Sequence, residues 1–253
     1  MTLPAALLRL PIAHRALHDI ADGRPENSLA AIRAAVAAGY AIEIDVQRSS
    51  DGQAMVFHDY DLKRLTGTPG PIQQRSAKEL SNLKLLGGEE GIPTLRAVLS
   101  IIDGQVPLVI EIKDQDGAMG PNVGPLEQAV AEALTGYDGD VAVMSFNPHT
   151  VAAFAKVAPH VARGLVARHF DEENSPTLPP ATRLRLRDAP DFDTVDAQFL
   201  SYDAEYLTNA AVQTLKARGV PVICWTVRSA DDEKDARETA DNITFEGYLP
   251  AIP

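Results

Sequence analysis

Four short segments of the sequence carry ionisable side chains at the ends of apolar runs, where a strand of a protein core would ordinarily continue with Val or Leu. Side chains alternate between the two faces of a strand, so two ionisable residues separated by one position point the same way. Histidines, carboxylates and basic side chains gathered in one place can transfer protons and bind anions or metal ions. The segments are IAHR with His14 and Arg15, AIEIDV with Glu43 and Asp45, VFHD with His58 and Asp59, and PLVIEIK with Glu111 and Lys113.

The carboxylates of Glu43, Asp45 and Glu111 predict a metal site. Three carboxylates that meet at one pocket repel one another unless they are protonated, paired or bound to a cation. A hard divalent ion that prefers oxygen ligands, Mg²⁺ or Ca²⁺, removes that conflict. Glu43 and Asp45 could instead lie at a solvated strand edge. Apolar residues flank both of them in the sequence, however, and an unpaired charge in such a strand is costly.

Arg15 and Lys113 add positive charge beside these carboxylates and suit the remaining oxygens of a phosphate group. Each also has a structural alternative. Lys113 could form an ion pair with Glu111, and Arg15 could hold Glu26. We expect both cations to contact an anionic substrate.

His14 and His58 would supply a base and an acid for the cleavage of a phosphodiester. One imidazole removes a proton from the nucleophile while the other gives a proton to the leaving alkoxide. A divalent metal would hold a phosphate oxygen or a hydroxyl beside them and lower the pKa of that hydroxyl. A single histidine near an apolar strand is more often structural, so the joint pattern of the four segments is what favours catalysis.

The elements that must position these residues alternate along the chain as β-branched runs and Ala- and Leu-rich stretches with helical spacing. That alternation is typical of repeated βα units and a parallel sheet, here with eight strands that close into a barrel. The active site of such a barrel lies at the carboxyl ends of its strands. Predicted strands are 11–14, 41–47, 108–112, 141–146, 163–167, 197–202, 221–227 and 242–248, and predicted helices are 29–38, 94–102, 126–134, 150–157, 182–187, 204–218 and 230–239.

Residues 49–93 interrupt this alternation. A parallel crossover needs about a dozen residues or more, and only residues 48–54 separate a strand at Met55–His58 from the strand before it. We therefore predict an antiparallel hairpin outside the count of eight, followed by a long connection with a helical turn near 77–83, placed like a lid over the barrel mouth. No linker or repeat divides the chain, so residues 1–253 are predicted to form a single domain.

Composition limits the partners. The chain has 253 residues, a formal net charge of −12 and 45% hydrophobic residues, which is typical of a globular protein with a sizeable core. Its acidic balance argues against nucleic acid or an anionic membrane surface as a partner, and no run is long enough for stable membrane insertion. The single cysteine, Cys224, fits a reducing compartment, so we expect a cytoplasmic protein that binds a small molecule. The oligomeric state is left open.

The segments above, together with PENSLAAIRAAVAAGY, IPTLRAVL, MSFNP and CWTV, resemble those of the glycerophosphodiester phosphodiesterases. The resemblance runs in order from His14 to about Thr226. It implies a TIM-type (β/α)8 barrel, a divalent metal, and hydrolysis of a glycerophosphodiester to sn-glycerol 3-phosphate and an alcohol, in lipid and glycerol metabolism. The implied roles are His14 and His58 as the acid–base pair, Glu43, Asp45 and Glu111 as metal ligands, Arg15 and Lys113 on phosphate, and Trp225 beside the glycerol pocket.

The resemblance also implies a mechanism in which the glycerol 2-hydroxyl, held on the metal, attacks phosphorus to give a cyclic phosphate that water then opens. Two departures from the family pattern bear on the shape of the pocket. Ala16 follows Arg15 where the family usually has glycine, so the first loop could sit differently. Residues 244–248, TFEGY, replace a segment that usually reads TDxP.

Two other functions compete with this one. A lysophospholipase D or a sphingomyelinase D-like enzyme uses the same histidines and metal but binds an acyl chain; we favour small diesters such as glycerophosphocholine or glycerophosphoethanolamine. A non-catalytic barrel that binds phosphorylated ligands is the second rival, although it would not need two histidines and three carboxylates together. Trp225 could be simply core, and Arg168 and His169, after the predicted fifth strand, could face the substrate or solvent.

Overall fold

The computed structural model describes residues 2–253, and over these residues one mixed sheet of nine strands forms the centre of the protein. Eight of the strands are parallel, and they close into a barrel because the first strand pairs with both the second and the last. The predicted TIM-type barrel is thus confirmed. The strands are β1 (Ile12–Ala13), β2 (Ala41–Arg48), β3 (Ala54–Val56), β4 (Leu108–Ile112), β5 (Val141–Ser145), β6 (Ala162–Ala167), β7 (Phe199–Asp203), β8 (Val222–Val227) and β9 (Asn242–Phe245).

β3 is the strand outside the barrel count, and it runs antiparallel to the end of β2, with Val46 opposite Val56 and Arg48 opposite Ala54. β1 is only two residues long and pairs with β2 no further than Ile42. The carboxyl end of β2 therefore keeps a free edge, which β3 takes up. The predicted hairpin exists, but its strand ends at Val56, so that His58 lies in the loop beyond it.

Helices fill the connections between the strands, and α1 (Leu29–Ala38) has the bounds predicted from the sequence. The Ser28 hydroxyl accepts a hydrogen bond from the amide of Ala31 at 3.1 Å, and Gly39 ends the helix at a φ of 80°, a conformation that glycine adopts at little cost. The other helices are α2 (Lys63–Thr66), α3 (Ala77–Asn82), α4 (Leu95–Ile102), α5 (Pro125–Leu134), α6 (Pro148–Val157), α7 (Pro180–Arg187), α8 (Ala210–Ala217) and α9 (Ala230–Ala236).

The prediction of one helix over 204–218 is wrong. A short 3₁₀ helix (Ala204–Tyr206) precedes α8, and Asn209 stands between them. The Asn209 side chain accepts a hydrogen bond from the amide of Ala211 at 2.8 Å, so it starts a new helix instead of continuing the old one. The predicted final strand over 242–248 is also too long, since β9 ends at Phe245.

Two faces of the barrel wall bury different residues. On β2, Ile42, Ile44 and Val46 pack into the layer shared with the helices, whereas Ala41 belongs to a separate apolar cluster inside the barrel. Glu43 and Asp45 share the inward face with Ala41 and lie nearer the carboxyl end of the strand. Charged residues therefore sit in the upper part of the barrel interior and apolar residues in the lower part.

β3 and the segment after it build a small core of their own from eight buried apolar residues. The eight residues are Met55, Phe57, Leu62, Leu65, Ile72, Leu80, Leu85 and Ile92.

Within the part of the chain that the structure describes, residues 2–253, no helix has the length and apolar character needed to cross a membrane.

Candidate active site

A cavity of about 680 Å³ opens at the carboxyl ends of the barrel strands. This end of a parallel barrel is where strand ends and loops from distant parts of the sequence meet. All eight residues that the sequence predicts for the site line the cavity: His14, Arg15, Glu43, Asp45, His58, Glu111, Lys113 and Trp225.

The three predicted metal ligands lie together at the floor of this cavity. Glu43, Asp45 and Glu111 are all buried, and one oxygen from each carboxylate lies within 4.8 Å of the others. The pairing of β2 with β4 produces this geometry, because Asp45 is the register partner of Glu111. Three buried carboxylate oxygens at this spacing fit a hard divalent cation, and they match the donor set expected for Mg²⁺ or Ca²⁺.

The electrostatics of the cluster show the cost of gathering three acids. Burial raises the pKa of Glu43 well above its usual range, and the carboxylates of Asp45 and Glu111 add to the rise. The pKa of Asp45 lies well below its usual range: burial opposes that change, but the nearby Lys113 ammonium outweighs it, helped by His58 and Arg15. Asp45 is thus ionised, whereas the ionised form of Glu43 is disfavoured in the folded protein.

Lys113 and Arg15 both contact the acidic cluster. Lys113 Nζ lies 2.7 Å from Glu111 Oε1 and 3.2 Å from Asp45 Oδ1. Burial would lower the pKa of Lys113, but Glu111 and Asp45 more than reverse this and keep the ammonium charged. Arg15 donates from Nη1 to Glu26 Oε1 at 2.7 Å. The structural ion pairs that the sequence left open are therefore present, while both cations still line the cavity.

The loop after β1 is held in an unusual conformation by the site itself. Arg15, Ala16 and Asn27 have φ values of 53°, 65° and 59°, in the left-handed region that residues other than Gly, Asn and Asp rarely adopt. Arg15 N donates to Glu43 Oε2 at 2.9 Å, and Asn27 Nδ2 donates to Asp45 Oδ2 at 3.0 Å. Ala16 thus takes a left-handed conformation without being glycine, so its substitution does not prevent the loop from turning here.

His14 points its Nδ1 away from the cavity floor towards a residue 232 positions later in the chain. Nδ1–H donates to Glu246 Oε2 at 2.7 Å, and the other Glu246 oxygen accepts from Arg228 Nε at 2.9 Å. The hydrogen bond from His14 holds the pKa of Glu246 well below its usual range. Burial lowers the pKa of His14, although Glu246 opposes the change. His14 is therefore oriented by Glu246, and its Nε2 remains available for the cavity.

His58 is oriented in a parallel way by its sequence neighbour. His58 Nδ1–H donates to Asp59 Oδ1 at 2.7 Å, and Arg64 Nε donates to Asp59 Oδ2 at 2.6 Å. Arg64 also bonds both oxygens of Glu26 at 2.8 Å, which links this side of the cavity to Arg15. Burial opposes ionisation of Asp59, but His58 and Arg64 outweigh it and hold its pKa well below the usual range.

Sequence reasoning missed the roles of Glu246 and Arg64 in holding the two histidines. The sequence signal for Glu246 is an acidic residue near the end of the last predicted strand, 242–248. Trp225 is half-buried and lines the cavity, as does Arg168. His169 instead stacks on Tyr206, with ring centroids 4.6 Å apart.

The fold and the location of the cavity define a TIM-barrel enzyme, since active sites of this fold lie at the carboxyl ends of the strands. Residues 14–241 match the model of the glycerophosphoryl diester phosphodiesterase family. The chain belongs to that family, and the resemblance seen in its sequence is confirmed.

Relatives of known name and structure agree with this assignment. The chain is 27% identical over 229 residues to the protein YhdW of Bacillus subtilis, covering 86% of each chain. It is 32% identical over 167 residues to a glycerophosphodiester phosphodiesterase of Caldanaerobacter subterraneus, covering 62% of this chain and 66% of that one. A phosphodiesterase of Oleispira antarctica, solved in complex with its product sn-glycerol 3-phosphate, superposes with a TM-score of 0.74 at 27% identity, covering 94% of this chain and 93% of that one.

Proposed function

We propose that this protein hydrolyses glycerophosphodiesters to sn-glycerol 3-phosphate and an alcohol, with His14 and His58 as the acid–base pair. The observation that carries the proposal is that both imidazoles line one cavity with the acidic cluster, each with Nδ1 bound by a carboxylate. A histidine whose Nδ1–H is fixed in this way presents Nε2 as the reacting nitrogen. Two such histidines at one cavity suit a reaction that needs one base and one acid.

Glu43, Asp45 and Glu111 are proposed to hold Mg²⁺ or Ca²⁺. When bound, the ion would supply Lewis-acid stabilisation of phosphate charge and would lower the pKa of a coordinated hydroxyl. The residues around it have separate tasks. Arg15 and Lys113 would bind the remaining phosphate oxygens, and the half-buried Trp225 would border the glycerol carbons.

The proposed reaction has two steps. In the first step one histidine removes the proton of the glycerol 2-hydroxyl as its oxygen attacks phosphorus, and the other histidine protonates the alkoxide that leaves. A five-membered cyclic phosphate results. In the second step water attacks the cyclic phosphate, the bond from phosphorus to the 2-oxygen breaks, and the two histidines exchange roles, so that each ends in its starting protonation state.

Two further proposals concern the whole chain. We propose that residues 1–253 act as a single phosphodiesterase domain in which 49–93 form a lid-like insertion, supported by the cavity-lining positions of Asp59, Tyr60 and Asp61. We also infer a cytoplasmic location, supported by the single cysteine, Cys224, which is buried as a free thiol.

One observation favours lysolipid cleavage as a second candidate. Part of the cavity wall is apolar, with Met119, Met144, Phe146 and Leu178 among its residues. An acyl chain could occupy that part. Lysophosphatidylcholine should therefore be assayed beside glycerophosphoethanolamine, with phosphorus NMR to identify the phosphate product.

The test of the catalytic assignment is the pair of variants His14→Ala and His58→Ala. Each should lower kcat by about 10² to 10⁴, the contribution of a positioned general acid or base. His160→Ala, which alters an exposed histidine after α6, is the matched control and should keep full activity. Circular dichroism and thermal unfolding should show an unchanged fold. A folded double variant that still turns over diesters would refute the assignment, and wild-type binding of these ligands without any turnover in Mg²⁺ or Ca²⁺ would favour a non-catalytic barrel.

A further inference from the structure

Arg168 differs from the other cationic side chains that line the cavity. Arg15, Lys113 and Arg228 each form an ion pair with a carboxylate, to Glu26, Glu111 and Glu246 respectively. Among residues 2–253 the guanidinium of Arg168 has no such partner, and its Nε is buried without a hydrogen bond. A buried donor without a partner is costly, so Arg168 is the cavity cation that is free to bind a ligand.

Two aromatic rings lie beside the guanidinium of Arg168 and do not neutralise its charge. Its guanidinium carbon lies 5.3 Å from the centroid of the Phe146 ring and 5.9 Å from that of Trp225. The two rings form an edge-to-face pair with centroids 5.6 Å apart. Aromatic faces attract a cation through their quadrupole but offer no hydrogen-bond acceptor. Burial lowers the pKa of Arg168, and Asp203, Glu111 and Asp171 oppose this only through space.

A second unpaired donor lies beside it. Trp225 Nε1 is also buried with no hydrogen-bond partner among the described residues. The two groups together offer donors and no acceptor. A carboxylate or a phosphate offers acceptors and no donor at neutral pH, and its two oxygens match the fork of a guanidinium.

We propose that Phe146, Arg168 and Trp225 form a subsite for a second anionic group of the substrate, a carboxylate or a phosphate that is not the phosphodiester being cleaved. This rests on the proposed function, and it specifies the substrate class: glycerophosphodiesters whose alcohol carries an additional negative charge. It differs from the choline and ethanolamine esters expected from the sequence. A quaternary ammonium would bind to the ring faces of Phe146 and Trp225, but the guanidinium of Arg168 already occupies that position.

Two matched pairs of substrates test the subsite. Glycerophosphoserine is glycerophosphoethanolamine with a carboxylate added, and glycerophosphoinositol 4-phosphate is glycerophosphoinositol with a phosphate added. With Mg²⁺ present, the enzyme should show a kcat/KM at least about tenfold higher for the member of a pair that carries the added carboxylate or phosphate, in one pair or both. This is the effect expected for one charge-assisted hydrogen-bonded contact. The pair that responds identifies whether a carboxylate or a phosphate is bound.

Arg168→Met should remove this preference, and Arg168→Lys, which keeps the charge but not the fork, should retain part of it. Arg9→Met removes an exposed arginine that precedes β1 at the opposite end of the barrel, and it should keep the full preference. Thermal unfolding checks that each variant is folded; Arg168→Gln is the substitute if the Met variant is not.

Several outcomes would overturn the subsite. If the wild-type enzyme shows no preference within either pair, the second anionic group is not recognised. If Arg168→Met lowers kcat/KM equally for both members of a pair, Arg168 binds the scissile phosphate or the glycerol, which all four substrates share. If no diester is hydrolysed, the proposed function fails, and calorimetric Kd values for the same pairs still decide the subsite through the same ratios.

Discussion

The two ends of the barrel are built from the same strands and do opposite things. At the amino-terminal end the short 3₁₀ helix Ala5–Leu8 closes the barrel, and Leu7 packs with Ile12 and Ala41 in the interior apolar cluster. Asn242 ties this helix down by donating to the carbonyls of Leu7 and Leu10 at 2.8 and 2.7 Å. At the carboxyl end the same β2 that begins with Ala41 carries Glu43 and Asp45 into a cavity. The interior is therefore apolar at one end of the barrel and ionisable at the other.

This separation has a physical reason. Burying apolar side chains stabilises the fold, whereas gathering carboxylates inside a barrel raises the free energy of the folded state unless a cation is bound. The raised pKa of Glu43 is the sign of that cost. The free energy gained by burying apolar side chains at the closed end can offset this cost, because both ends belong to the same strands. Substitutions at the two ends should therefore have opposite consequences for activity and stability.

The largest effect is expected at the carboxyl end, from Glu43→Gln. Loss of one proposed metal ligand should lower kcat by about 10³-fold, equivalent to several kcal/mol of lost charge stabilisation. Measured in EDTA at pH 7, the free energy of unfolding should instead rise, because the amide cannot take the charge that burial and the neighbouring carboxylates disfavour.

The pH dependence follows from the sign of the shift at Glu43. Because the pKa is raised in the folded state, the carboxyl group destabilises the fold above its usual pKa and is without effect below it. The advantage of Glu43→Gln should vanish as the pH falls from 7 through 4 in urea unfolding. Glu132→Gln, at an exposed position, is the control. A variant that is both inactive and less stable at pH 7 would contradict the comparison of the two ends.

Next in size is Leu7→Ala, at the opposite end. Leu7 is fully buried, so the truncation should lower the free energy of unfolding by about 2–4 kcal/mol. The folded fraction should keep its kcat, since the substitution lies at the far end from the cavity. Leu184→Ala removes the same atoms from a side chain that is 60% exposed and should change stability little. Equal losses of unfolding free energy from the two variants in urea would contradict the idea that apolar burial at this end stabilises the fold.

A smaller effect is expected from Glu246→Gln, which replaces the carboxylate that orients His14. The neutral amide no longer favours the Nδ1–H form of the imidazole, so kcat should fall by roughly 100-fold with little change in KM. Glu246→Asp should restore part of the activity, and the exposed Glu238→Gln should have no effect. Steady-state kinetics on glycerophosphoethanolamine distinguish these results, and a loss confined to KM would argue that Glu246 only shapes the pocket.

The smallest effect is expected from Ala16→Gly in the loop after β1. Ala16 has a φ of 65°, where a Cβ is strained, so glycine should stabilise the protein by about 0.5–1 kcal/mol. The same change in a helix, Ala37→Gly on α1, should destabilise by about 0.5–1 kcal/mol. Opposite signs in thermal unfolding are the expected result, whereas a loss of stability at both positions would show that the loop conformation of Ala16 is not strained.

Much of the barrel could be predicted because its helices and strands are marked by local sequence patterns. Helix α1 carries a capping serine and a terminal glycine, β2 alternates apolar and polar residues, and β4 is an apolar run with Glu111 near its end. The helix predicted over 204–218 failed because the Asn209 side chain competes with the backbone for hydrogen bonds, which apolar periodicity does not register. The sequence predicts β1 over 11–14, but the strand is two residues long, because the chain leaves the extended conformation at Arg15 and Ala16, which have positive φ values.

What the sequence by itself determined is the kinds of groups present and which of them share a strand face, because side-chain alternation is a property of each strand alone. The tertiary structure alone decided that Glu246 orients His14 across 232 residues, that Lys113 lies between two carboxylates, and that Arg168 has aromatic neighbours and, among residues 2–253, no ion-pair partner. Such partners are chosen by barrel closure and strand register. These depend on the packing of the whole chain and leave no mark on the sequence around any one residue.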